Sequence, residues 1–200
     1  MLILTSTGFF NKKIADVFLK ELNKAPQLAK VAFVPTASRT PHELKYIESS
    51  KEELFELGIK PENLVIFNLD KKVIATDLDG FDVLYVCGGN TFYLMKKINE
   101  TGFDKTIKAF VKKGGLYVGV SAGSVVAGPV IKIALPFDEN DSNLTNFDGL
   151  GLVDVIISPH YIENDKAIIE NYAKSSACKV IALTDSQALL VNGELKEIFE

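Results

Sequence analysis

Two hundred residues, 47% hydrophobic and 24% charged, suffice for one globular α/β domain over residues 1–200 with a core on both faces of a sheet. A net charge of -4 and lysines scattered in pairs such as Lys12-Lys13 and Lys112-Lys113 exclude a nucleic-acid surface, which needs clustered cations. Two cysteines without metal-ligand spacing, and an opening Met1–Ser6 too short for a signal or a span, point to a cytoplasmic protein with no membrane, metal or cofactor.

Leu2–Thr5 reads as a buried strand, followed by a turn at Gly8 and a helix from the cap Asn11 to about Leu22. Lys30–Val34 is a second strand, closed by Pro35 and a polar loop that carries Arg39. Pro41 opens a helix that Gly58 stops, and Leu64–Phe67 follows as a strand. Asp82–Cys87 is a further apolar strand. It ends in Gly88-Gly89-Asn90-Thr91, with Thr91 as the expected cap of the next helix. Phe103–Lys113 is helical in pattern and leads to the short apolar run Leu116–Val118. After Pro129 regularity fades, and Leu135–Leu150 is an acidic, Asn-rich loop. Val153–Ile157 returns as a strand ending at Ser158-Pro159-His160, Asn164–Ala173 is helical, and Lys179–Leu183 and Ala188–Val191 are strands. Asn192-Gly193 turns the last of these into Leu195–Phe199.

Strands of continuous hydrophobicity alternating with helices predict a single doubly wound, mostly parallel sheet covered on both faces. Ligands in such folds bind beyond the carboxyl ends of the strands. Gly119-Val120-Ser121-Ala122-Gly123 falls where a strand becomes a helix, the layout of a nucleophile elbow. Glycines there remove the Cβ atoms that would collide with the crossing chain, which pushes the serine hydroxyl into the open. The alternative is a bare Gly-rich turn that holds a carboxylate or phosphate.

A serine nucleophile needs a base, and the chain has two histidines. His42 opens a helix beside Pro41 and reads as a surface residue. His160 lies just past a strand end on the edge of the sheet that carries Ser121, so it is the expected base. Asp185 also follows a strand and is the preferred acid partner, with Asp138 in the irregular loop as its competitor. Gly89 would place one backbone N–H at an oxyanion and Ala122 a second. Arg39, the only arginine, could clamp a substrate carboxylate, with Asn90 and Asp138 as further substrate contacts. Cys87 reads as a small buried residue close to this place.

Cys87-Gly88-Gly89-Asn90-Thr91-Phe92, Gly119–Gly123 and Leu150-Gly151-Leu152 leading to Ser158-Pro159-His160-Tyr161 together resemble the aspartyl dipeptidase (dipeptidase E) family of serine peptidases. The resemblance implies a fold similar to class I glutamine amidotransferase domains, flavodoxin-like in outline. It matches Ser121 to the family nucleophile and His160 to its base, and Asp185 falls where the family has a proposed third member. Where family dipeptidases carry Thr-Asn-Asp-Met-Pro after the elbow helix, this chain reads Ile133-Ala134-Leu135-Pro136-Phe137, so no acid stands at the matching place. The expected function is that of a serine hydrolase cleaving short peptides, as a monomer or small homo-oligomer. A small esterase or amide hydrolase of the same constellation, and a non-catalytic carboxylate-binding domain, are the alternatives. The order Ser121, His160, Asp185 differs from the Ser, acid, His order of α/β-hydrolases.

Overall fold

The computed structural model describes residues 1–200. Its main sheet has seven strands in the order β3 (Leu64–Ile66), β2 (Val31–Val34), β4 (Val83–Val86), β5 (Leu116–Val120), β1 (Leu2–Thr5), β8 (Ala188–Asn192) and β9 (Leu195–Phe199). The five strands from β3 to β1 run parallel, and β8 and β9 add an antiparallel edge. The fold is therefore the mostly parallel α/β sheet that the continuous apolar runs predict, because strands covered on both faces need no polar side.

Alternation along each strand divides the core into two layers. Ile3, Phe33, Tyr85 and Val118 point to one face and pack with Ile14 and Phe18 of α1 (Lys12–Glu21) and Ile47 and Leu54 of α2 (Pro41–Glu56). Leu2, Leu4, Val34, Leu84 and Tyr117 point to the other. There they meet Phe92 and Ile98 of α3 (Thr91–Thr101), Phe103 and Ile107 of α4 (Phe103–Lys112) and Val125 and Val126 of α5 (Ala122–Ala127). The Asn11 side chain caps α1 through the Lys13 N–H, and a full capping box of Thr40 and Glu43 starts α2. Gly102, in the left-handed conformation at φ 72°, separates α3 from α4.

Two elements differ from the sequence-based expectation. Asn90, not Thr91, caps α3: its Oδ1 accepts the Tyr93 N–H at 2.9 Å, since the cap side chain must stand outside the first turn. The run expected as a strand over 153–157 forms one only at β6 (Ile156–Ser158). The Leu152 and Val153 N–H groups instead bond back to the Ala127 carbonyl. β6 does not join the main sheet. It pairs in parallel with β7 (Val180–Ala182), and α6 (Lys166–Ser175) connects them. Ile156, Ile157, Ile181 and Leu183 lay this small ladder against the α5 side of the core. No helix is long and apolar enough to cross a membrane.

Candidate active site

Ser121 stands between β5 and α5 with φ 48° and ψ -110°, a backbone conformation that costs an L-residue energy. The surroundings hold it there. Its N–H donates to the Thr5 carbonyl at 2.9 Å, and the buried Ser124 hydroxyl lies 2.7 Å from both the Thr5 and Gly119 carbonyls. The flanking glycines are required by contact. A Cβ on Gly119 would stand 2.6 Å from the Gly123 oxygen, and one on Gly123 would stand 2.2 Å from the Val86 oxygen. The elbow is thus a place where β5, α5 and β4 approach closer than any side chain allows.

His160 and Asp185 come from the small ladder. Ser158 pairs with Ala182, and the Leu183 N–H donates to the Ser158 carbonyl and the Tyr161 N–H to the Leu183 carbonyl, so the loops after β6 and β7 run side by side. His160 has φ 58° and, like Ser121, is a non-glycine residue at positive φ. The loop after β1 ties both loops to the elbow. The His160 N–H donates to Ser6 Oγ at 3.1 Å, Ser6 Oγ donates to the Leu183 carbonyl, and Thr7 Oγ1 donates to the Asp185 carbonyl at 2.7 Å. An unbroken side-chain line results. Asp185 Oδ1 lies 2.6 Å from His160 Nδ1, and His160 Nε2 lies 2.8 Å from Ser121 Oγ. With its second nitrogen on a carboxylate, the imidazole presents Nε2 to the hydroxyl in the arrangement that lets a serine lose its proton.

Peptidase family S51 has a model that matches residues 2–199. The chain belongs to that family. It is therefore a serine-type peptidase. An uncharacterized peptidase of Listeria monocytogenes is 36% identical over 171 residues, 82% of each chain, and one of Pasteurella multocida is 30% identical over 199 residues, 95% of each. Peptidase E of Salmonella arizonae is 35% identical over 132 residues, 64% of this chain and 54% of that longer protein. Among solved structures, a candidate peptidase E from Listeria monocytogenes EGD-e superimposes with a TM-score of 0.83 at 31% identity, covering 99% of this chain and 96% of that one.

Around the S51 elbow the remaining sequence-derived candidates separate. Gly89, at φ 125°, presents an N–H that no group of the protein accepts, and a Cβ there would stand 2.3 Å from the Ala37 carbonyl. Gly88 packs directly on Ser121, whose Cβ lies 3.1 Å from where a Gly88 Cβ would be. Ala122 is the first residue of α5, so its N–H has no intrahelical acceptor and lies at the positive end of the helix. Asn90 is occupied as the α3 cap and donates its Nδ2 to the Glu139 carbonyl. Asp138 does not meet His160. Its Oδ2 accepts the Thr91 N–H at 2.8 Å at the start of α3, and it lines a cavity of about 170 Å³ on one side of Ser121. Arg39 is turned away from the site. Its guanidinium pairs with Asp141 at 2.8 Å and lies 4.3 Å over the Tyr93 ring, and it lines neither cavity beside the serine. His42 packs edge-on against Tyr46, apart from the serine.

A larger cavity of about 650 Å³ opens on the other side of Ser121. Its far wall, unforeseen from the sequence, is a face of α2: Glu43, Tyr46, Ser50 and Glu53 recur at helical spacing and line it. The available signal was small and polar residues between the core positions Ile47 and Leu54, a pattern equally typical of a solvated face. Cys87 also borders the cavity. Burial pushes its thiol well above the usual range, against a smaller opposing pull from Lys51, so it stays protonated and is no rival nucleophile. No three His, Cys, Asp or Glu side chains converge to hold a metal ion.

Proposed function

We propose that this peptidase cleaves short peptides through an acyl-enzyme on Ser121, with His160 as base, Asp185 as its orienting acid and the N–H groups of Gly89 and Ala122 as the oxyanion hole. The observation that carries the reading is the line Asp185–His160–Ser121, with contacts of 2.6 and 2.8 Å, on a strained elbow. His160 Nε2 takes the hydroxyl proton as Oγ attacks the scissile carbonyl carbon. The carbonyl oxygen becomes the oxyanion between the two N–H groups. The imidazolium then gives its proton to the amide nitrogen, the C–N bond breaks and the amine leaves. Water repeats the cycle on the ester: His160 takes its proton, hydroxide adds, and Oγ departs with that proton.

Short substrates are favoured because Ser121 lies between two cavities, one of about 650 Å³ and one of about 170 Å³, each walled by its own elements. A fluorophosphonate should label Ser121 in the wild type. Labelling is expected to vanish in Ser121→Ala and fall at least a hundredfold in His160→Ala. Labelling that survives His160→Ala unchanged would remove His160 as the base.

A further inference from the structure

The larger cavity has a distinct electrostatic character. Apart from His160 and Asp185, the charged side chains that line it are Glu43 and Glu53, and no lysine or arginine is among them. Glu43 is engaged: its carboxylate accepts the Arg39 and Thr40 N–H groups at 2.8 and 2.7 Å in the α2 capping box. Glu53 is different. Its Oε2 accepts one neutral donor, the Phe9 N–H at 2.8 Å, and no cation pairs with it. Lys51, two residues earlier, pairs with Glu48 instead. Burial pushes the Glu53 carboxyl upward, with the Phe9 bond opposing and Glu56 adding to the rise, as expected of a carboxylate half withdrawn from water without a counter-ion.

Two further features gather at the same place. The Tyr85 hydroxyl is fully buried, faces the Ser50 side chain and shares the space around Gly8 with Glu53 Oε2: the two oxygens stand 3.0 and 2.9 Å from the point where a Gly8 Cβ would be. Phe10 and Tyr46 line the cavity with exposed rings, 84% and 61% accessible. A carboxylate without a counter-ion in the same cavity as two exposed aromatic side chains is a cation-binding combination, because ring quadrupoles and the carboxylate attract the same charge.

We propose that Glu53, with Phe10 and Tyr46, forms the subsite that receives a cationic group of the peptide, either its α-ammonium or a basic side chain. The inference rests on Ser121 being the peptidase nucleophile, since it takes the cavity beside that serine as the substrate cavity. An acidic side chain would meet two carboxylates there and no cation, so the cavity rejects a substrate aspartate. Glu53 acts in binding, and the chemical step stays with the serine and histidine.

Binding to a non-cleaving Ser121→Ala protein tests the subsite without requiring turnover. Four dipeptides suffice: Lys-Leu, norleucyl-Leu and the N-acetyl form of each, titrated calorimetrically. If the α-ammonium is the ligand, acetylation of norleucyl-Leu weakens binding at least tenfold. If a basic side chain is, N-acetyl-Lys-Leu binds at least tenfold tighter than N-acetyl-norleucyl-Leu. In Ser121→Ala/Glu53→Gln either difference should shrink below threefold, with a melting temperature showing that the protein is folded; Gln Oε1 can still accept the Phe9 N–H. Equal binding of all four, no binding at millimolar concentration, or charge dependence that persists without Glu53 would each overturn the proposal. Hydrolysis of the same four by the Ser121 protein is read separately: charge-dependent binding without cleavage sinks the peptide-cleavage reading and leaves the cation subsite standing, whereas cleavage with charge-independent binding does the reverse.

Discussion

Ser121 and His160 both occupy positive φ, and neither is a glycine. Backbone held this way costs on the order of 1–3 kcal/mol per residue and persists only where neighbours enforce it. Ser121→Gly should therefore melt higher than Ser121→Ala, by about 1 kcal/mol, while both lose peptidase activity by roughly 10⁴-fold or more. Equal melting temperatures would show that the elbow is not strained. The two aspartates that compete in the sequence are separated by their partners, Asp185 touching the imidazole and Asp138 the start of α3. Asp185→Asn is expected to lower kcat by about 10²- to 10⁴-fold through the wrong histidine tautomer. Asp138→Asn should stay within about tenfold in kcat and lose about 1 kcal/mol of stability, the share of a charge-assisted bond to the α3 terminus. Kinetics and thermal melts on the two variants decide the matter.

At the scale of elements, close packing around the elbow makes the glycines intolerant. Gly123→Ala puts a methyl 2.2 Å from the Val86 carbonyl oxygen, so α5 must lift off β4, and most of the protein is expected to be insoluble or to melt well below wild type. Gly89→Ala forces its loop away from Ala37, and a protein that still folds should lose about 10²- to 10³-fold in kcat with little change in KM. The α2 face offers a pH test. Burial raises the Glu53 carboxyl above its ordinary value of 4.5, so the native state holds that proton more tightly than the unfolded chain. The resulting stability is full below the unfolded value and lost as pH rises through the folded one. Glu53→Gln, which cannot ionise, should melt higher than wild type at pH 7, with the gap closing toward about pH 4.

The elements differ in how far the sequence betrayed them. The meeting of Ser121, His160 and Asp185 was legible, because each follows the end of a short apolar run and the chain has only two histidines to choose between. That β6 and β7 leave the main sheet was not. Three-residue apolar runs look alike whichever sheet they join, and their separation depends on Ala127 drawing back the chain ahead of β6. Arg39 was misleading for a similar reason: its partner Asp141 is 102 residues away in an irregular loop, where no periodicity announces a contact. The α2 wall was hidden because polar residues facing a cavity repeat with the same spacing as polar residues facing water.

Across the whole molecule the N-terminal strand occupies the position on which everything else converges. β1 lies between β5 and β8, so Leu2 faces Tyr117 on one side and Val191 on the other. Its last residue, Thr5, holds the serine, and the loop after it holds the histidine through Ser6 and the aspartate through Thr7. Such pairings between segments far apart in sequence form late and slow folding, because the closing loop is long. They also set a sequence in time. A ribosome delivers β1 and Ser121 before Asp185 and the strand that flanks β1, so the nascent polypeptide carries Ser121 before the partners of its proposed charge relay are in place. Chains stalled on the ribosome after Val180 should stay unlabelled by a fluorophosphonate that marks the released protein, which would make emergence of the segment that carries Asp185 the event that arms Ser121.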